Sequence, residues 1–254
     1  MKKFVAFLLA VALMLPMLIS AAAAEVTMSE GEFTDAVAEI LKDYYANPDT
    51  AIQKLEEIGA YLEGEPVLIT HNSSENENAR GTGFQDYSFY VTCIRRSNST
   101  LRYLQWHLTA NAREWFPGPY DLVSLEWDTA YADYYDSYGD GVYTSIAGRQ
   151  AGIVLFNLDD SELKKGDYCY GTVRVDPVQN GTMEFGSKFT HIYTSINLGG
   201  SANWGFSPSA QLASNGIATL GFSYTFGYSV TVGTGAEQWS LWTDNAVTFS
   251  NIVS

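Results

Sequence analysis

The sequence predicts a mainly β protein, an antiparallel β-sandwich preceded by an N-terminal α-helical hairpin. Three observations predict it. Apolar residues recur at helical spacing between residues 29 and 63. From Pro66 onward they alternate with polar residues at period two, in run after run between Gly, Asn and Asp turns. No helical stretch separates those runs, as a doubly wound parallel sheet would require.

The chain begins with Lys2 and Lys3, an apolar run over residues 4–19, and the small residues Ser20 and Ala21–Ala24. That order has the layout of a secretory signal peptide, and the run is short for a spanning helix and interrupted by Pro16. The expected division is therefore 1–24 signal peptide, 25–64 helical hairpin and 65–254 β-sandwich domain, with the protein secreted.

In the hairpin, Ser29 and Glu32 have capping-box spacing, and Phe33, Val37, Ile40, Leu41 and Tyr44 form an apolar stripe. Asn47-Pro48 reads as a cap followed by proline at the first helical position. Ile52, Leu55, Ile58 and Leu62 form a second stripe that Gly64 can end. Two one-sided helices must cover something, and the β domain is the surface at hand.

Strand-like runs are predicted near 87–96, 101–110, 120–128, 151–158, 167–176, 183–198, 217–233 and 237–249. On the second, Leu104, Trp106 and Leu108 share a face and His107 points away. On the third, Val123, Leu125 and Trp127 point inward, and Glu126 and Asp128 outward. The most regular alternation is 220–232. Leu220, Phe222, Tyr224, Phe226, Tyr228, Val230 and Val232 lie on one face, with Gly, Ser and Thr between them. This predicts a long core strand; it is also how a membrane β-strand reads.

Cys93 falls on a face with Tyr87, Phe89 and Val91, and Cys169 on a face with Val173 and Val175. In an exported protein two cysteines predict one bridge between them. The order Cys93, Trp106, Cys169 resembles the Cys…Trp…Cys order of immunoglobulin domains. Asp167 stands where that family carries a tyrosine two residues before the second Cys. The resemblance supports a sandwich of immunoglobulin-like or jelly-roll-like kind.

The formal charge is −15, and basic residues cluster no further than Arg95-Arg96 and Lys164-Lys165 in the region past the leader. Such a surface repels a phosphate backbone, so no nucleic-acid partner is expected. His71, His107 and His191 are scattered without metal spacing, and there is no nucleophile elbow or phosphate loop. Glu126 and Asp128 share a strand face, which suits glycoside hydrolysis by paired carboxylates. The pair is similar to part of a sandwich-fold glucanase motif, but Ala130 and Tyr131 stand where its last carboxylate would be.

Segment 128–140 concentrates Asp and Tyr. Tyrosines beside flexible turns give broad contact surface, so Tyr134, Tyr135 and Tyr138 are the candidate ligand-binding residues. Asp133, Asp136 and Asp140 are the candidate metal ligands, for Ca²⁺ if for any ion; no other cofactor is implied. The expected function is non-enzymatic binding or adhesion outside the cell, to an extracellular glycan or protein. The alternatives are a pore-forming secreted β protein, which would add a membrane partner, and the hydrolase.

Overall fold

A computed structural model describes residues 28–71, 87–111, 120–194, 209–212, 228–231 and 236–252. The predicted leader 1–24 and most of the 220–232 alternation lie outside the described residues.

Helix α1 spans Glu30–Leu41 and α2 spans Pro48–Glu57. Ser29 caps α1 as its spacing predicted: its hydroxyl accepts the Glu32 N–H, and the Glu32 carboxylate accepts the Ser29 N–H at 2.8 Å. The second helix ends sooner than its apolar stripe implied. Gly59 takes φ +72°, and Ala60–Glu63 become strand β1, so Leu62 belongs to a sheet. A sheet partner outcompetes the helical pattern here: Ala60 to Glu63 pair with Arg96 to Cys93.

The remaining strands are β2 Ile69–His71, β3 Tyr87–Arg96, β4 Arg102–Ala110, β5 Asp121–Trp127, β6 Ala132–Gly139, β7 Thr144–Gln150 and β8 Ile153–Leu158. They continue with β9 Tyr168–Pro177, β10 Gly181–Thr194, β11 Ser209–Leu212, β12 Tyr228–Thr231 and β13 Ala236–Phe249. Two antiparallel sheets result. One runs β1-β3-β4-β9-β6, with β2 also on β3; the other runs β13-β10-β5-β8-β7. A short ribbon pairs β11 with β12. The mainly β sandwich with helices in front is thus the architecture predicted.

Alternation builds the core. Phe89, Leu104, Trp106, Val123, Phe156 and Phe185 meet between the sheets, all fully buried. Gly171 is required where it stands, because a Cβ there would come within 2.4 Å of Trp106 Nε1 and 2.8 Å of Phe156. The outer face of the first sheet is covered too. Phe33, Val37, Leu41 and Leu55 of the helices pack on Ile94 and Tyr103, so β3, β4 and β9 are buried on both faces.

The cysteines correct an expectation. Both are free and buried on the core side. Cys93 pairs with Leu104 and Cys169 with Leu108, so they lie on strands flanking β4, four residues apart along it. That puts them roughly 16 Å apart, where a bridge needs Cα atoms within about 7 Å. A shared face did not imply a shared position. Burial pushes both thiols well above their ordinary range, so neither is a ready nucleophile.

Candidate functional site

Segment 128–140 is largely a strand rather than a loop. β6 forms one edge of the first sheet and pairs with β9, with a bulge between Tyr134 and Asp136. The bulge separates the three tyrosines. Tyr134 turns inward and stacks on Trp127 at 6.4 Å, with Arg149 over its ring at 4.0 Å. Tyr135 stays 56% exposed. Tyr138 lies half-buried beside Asp136.

Arg174 on β9 organises this face. Its Nε donates to Asp136 Oδ1 at 2.5 Å, Nη2 donates to Asp136 Oδ2, and Nη1 meets Glu30 Oε2 at 2.7 Å. Nη2 also donates to the Tyr138 hydroxyl at 2.7 Å. The guanidinium sits 4.9 Å from the Tyr135 ring centroid and 5.3 Å from that of Tyr138. Its charge is locked in by Asp136, while burial and the Asp136 hydrogen bond push the Tyr138 phenol up to about 12. The face therefore presents an exposed aromatic ring on a held cation.

The three aspartates do not converge. Asp133 is exposed, and Asp136 is taken by Arg174. Asp140 Oδ1 accepts the N–H groups of Val142, Tyr143 and Thr144 at 2.8–2.9 Å, so it shapes the turn into β7. The expected calcium set is not assembled. Glu126 and Asp128 also part company. Glu126 is only 2% exposed and accepts the Ser124 hydroxyl at 2.7 Å, whereas Asp128 accepts the Ala130 N–H in the following turn. The matched, solvated carboxylate pair of the sequence reading is therefore absent from this strand.

A different cluster does converge. Asp121, Asp160 and His191 are fully buried, and their ligand atoms all lie within 4.8 Å of one another. His191 Nδ1 is 2.8 Å from Asp121 Oδ2 and 3.6 Å from Asp160 Oδ2, and Asp121 Oδ1 accepts the Ile192 N–H at 2.7 Å. One imidazole and two carboxylates are donors that could hold a divalent cation. Full burial makes the cluster a poor place for a substrate. Sequence reading missed it because β5–β10 pairing joins residues 70 apart. His107 is buried as well, stacked on Tyr90 and hydrogen-bonded to Thr92 and Tyr168. Burial pushes its pKa down to about 3, so it is a neutral core residue.

The second sheet holds one more feature. β10 and β13 pair without a break from Gly181↔Phe249 to Thr194↔Ala236, along the edge of the sheet where β10 also pairs with β5 over Phe185 to Thr190. The chain between their ends contains β11 and β12, whose register sets Ala210 opposite Val230 and Leu212 opposite Tyr228. It sets Ser209 opposite Thr231 and Gln211 opposite Ser229. Apolar residues thus alternate with polar ones in both arms, in matching register. From Ile192 to Ala236 the sequence contains no Asp, Glu, Lys, Arg or His, in a chain that is 17% charged.

No family model matches the chain, and no curated protein is detectably similar. Among solved structures, the CaDoc0917–CaCohA2 complex is similar at TM-score 0.27 and 7% identity, over 34% of this chain and 69% of that one. The Clostridium perfringens NetB toxin in its membrane-inserted form is similar at TM-score 0.29 and 9% identity, over 73% and 96%. Likenesses this slight fix neither family nor activity. Among the described residues, no helix is long and apolar enough to cross a membrane.

Proposed function

We propose that this is an exported, non-catalytic β protein that acts on membranes, inserting the segment between β10 and β13 as a β-hairpin. The observation that carries the reading is the pairing of two fourteen-residue strands around an uncharged connector whose described arms match apolar with apolar and polar with polar. Lipid tolerates strands only when every backbone group is paired, so inserted hairpins must close into a barrel. A barrel strand then needs about 9–11 residues with one lipid-facing and one water-facing side. Residues 220–232 are long enough for such a strand and keep the alternation throughout. A single hairpin cannot close a barrel, so several copies would assemble, and removal of residues 1–24 would put the protein where it meets a membrane. The test is release of an entrapped dye from liposomes by the intact protein lacking residues 1–24. Concentration-dependent release supports the reading, and intact vesicles at micromolar protein count against it.

A second reading is recognition of an extracellular glycan or protein through β6. Tyr135 supports it, being the exposed ring of the face that Arg174 organises. Tyr138 would border such a contact, while Tyr134 faces the core and would not.

A further inference from the structure

A cleft of about 390 Å³ opens between α2 and β1, lined by Tyr44, Ile52, Glu56, Tyr61, Leu62 and Glu65. The chain makes it by turning sharply. Gly59, at φ +72°, sends the strand away from the end of α2, and buried Ala60 and Tyr44 close the floor. Ile52 and Tyr61 remain 38% and 37% exposed, so the apolar lining is open to solvent.

No basic residue lines the cleft, whose charged groups are the Glu56 and Glu65 carboxylates. Glu63 nearby is satisfied by Arg95 at 3.1 Å and Arg102 at 2.5 Å. Glu56 and Glu65 enter no ion pair among the described residues. The C-terminal end of α2 adds its partial negative charge at the same place. The field reaches the aromatic floor: burial first, then the Glu65 charge, pushes the Tyr44 phenol up. The Tyr61 ring already carries one cation, the Arg95 guanidinium 4.5 Å from its centroid.

Carboxylates beside aromatic rings and aliphatic side chains suit a particular ion. A divalent metal wants six or more oxygens and keeps its water, which this lining does not replace. An organic ammonium is weakly hydrated, gains from ring faces, and has carbon surface to bury. We propose that this cleft binds a quaternary ammonium group, with Glu56 and Glu65 as counter-charge and Tyr44, Tyr61, Ile52 and Leu62 as contact for its methyls. The proposal is independent of the membrane reading.

The test is calorimetric titration of the intact protein with choline chloride at low salt, beside its neutral carbon isostere 3,3-dimethylbutan-1-ol. Choline is expected to bind about tenfold tighter than the isostere. Glu56→Gln and Glu65→Gln should each weaken it about threefold or more, with melting temperature unchanged because both side chains are exposed. Co-sedimentation with phosphatidylcholine and phosphatidylglycerol vesicles separates a lipid headgroup from a free ligand. Choline-vesicle binding lost in Glu65→Gln assigns the headgroup, and choline binding without it assigns the free ion. Equal binding of choline and isostere, no saturable choline binding, or indifference to both substitutions overturns the proposal.

Discussion

Arg174 on β9 meets Glu30 at the start of α1, Nη1 to Oε2 at 2.7 Å, and so ties the helical hairpin to the first sheet. The same guanidinium holds Asp136 on the sheet edge, which makes it the joint between three elements. Arg174→Met leaves Asp136 without its counter-charge and should cost about 2–4 kcal/mol in urea denaturation. Glu30→Gln should cost less than about 1 kcal/mol, because the Glu30 side chain is 41% exposed. Equal losses in the two variants would show that the joint is not centred on Arg174.

Gly171 and Trp106 make a tight core contact on adjacent strands. Gly171→Ala should destabilise by about 1–3 kcal/mol through overpacking, although alanine is ordinarily neutral or helpful in a strand. The companion variant Trp106→Phe makes room by trading the indole for a smaller ring. The double variant should lose less than the sum of the singles, and strict additivity in a double-mutant cycle would contradict the contact.

The strand faces were legible in the sequence because alternation is a local signal. Tyr87 to Cys93 and Leu104 to Leu108 point as read, and the Ser29–Glu32 cap was visible from spacing alone. β6 and β7 were not legible. They are edge strands whose exposed residues include Asp133, Ser145, Arg149 and Gln150, polar and charged side chains that keep an edge from pairing further. The Asp121–His191 contact was invisible for another reason, since it depends on which strands become neighbours. The same gap misled the cysteine reading: parity gives the face, and only topology gives the distance.

The thiols give a direct check on that topology. Denatured, unreduced protein should titrate two thiols with Ellman's reagent, and native protein none, because both are fully buried. Reducing agent should leave the melting temperature unchanged. A single oxidised pair in the denatured protein would require a different strand order.

His107 makes stability depend on acid. Its folded pKa lies near 3, below the ordinary 6.5, because burial disfavours the charged ring. The unfolded chain therefore takes up a proton near pH 6.5 that the folded chain refuses until about pH 3. Stability contributed by the neutral ring is complete above pH 6.5 and is lost as pH falls through that window, at up to about 1.4 kcal/mol per unit. His107→Gln can still hydrogen-bond but does not titrate. Its unfolding free energy should fall less steeply between pH 6.5 and 3 than the parent's, by close to one proton; parallel profiles would mean that His107 is solvated.

The membrane reading is sharpest at two adjacent residues of β12. Val230 is paired with Ala210 and Ser229 with Gln211, so consecutive positions occupy opposite faces of one ribbon. If the hairpin enters lipid, Val230 lies on the hydrocarbon side and Ser229 on the water side. An arginine near the bilayer midplane costs about 2–4 kcal/mol on the lipid face of a barrel, and the cost recurs in every copy of an assembly. On the water-facing side the same arginine is solvated. Val230→Arg should therefore abolish dye release, while Ser229→Arg should keep it. Thermal melts of both variants separate this from misfolding, since a β12 that only packs on the sandwich would show its Val230 penalty as lost stability in solution. Release that survives Val230→Arg, or fails equally in both well-folded variants, would remove the hairpin from the mechanism.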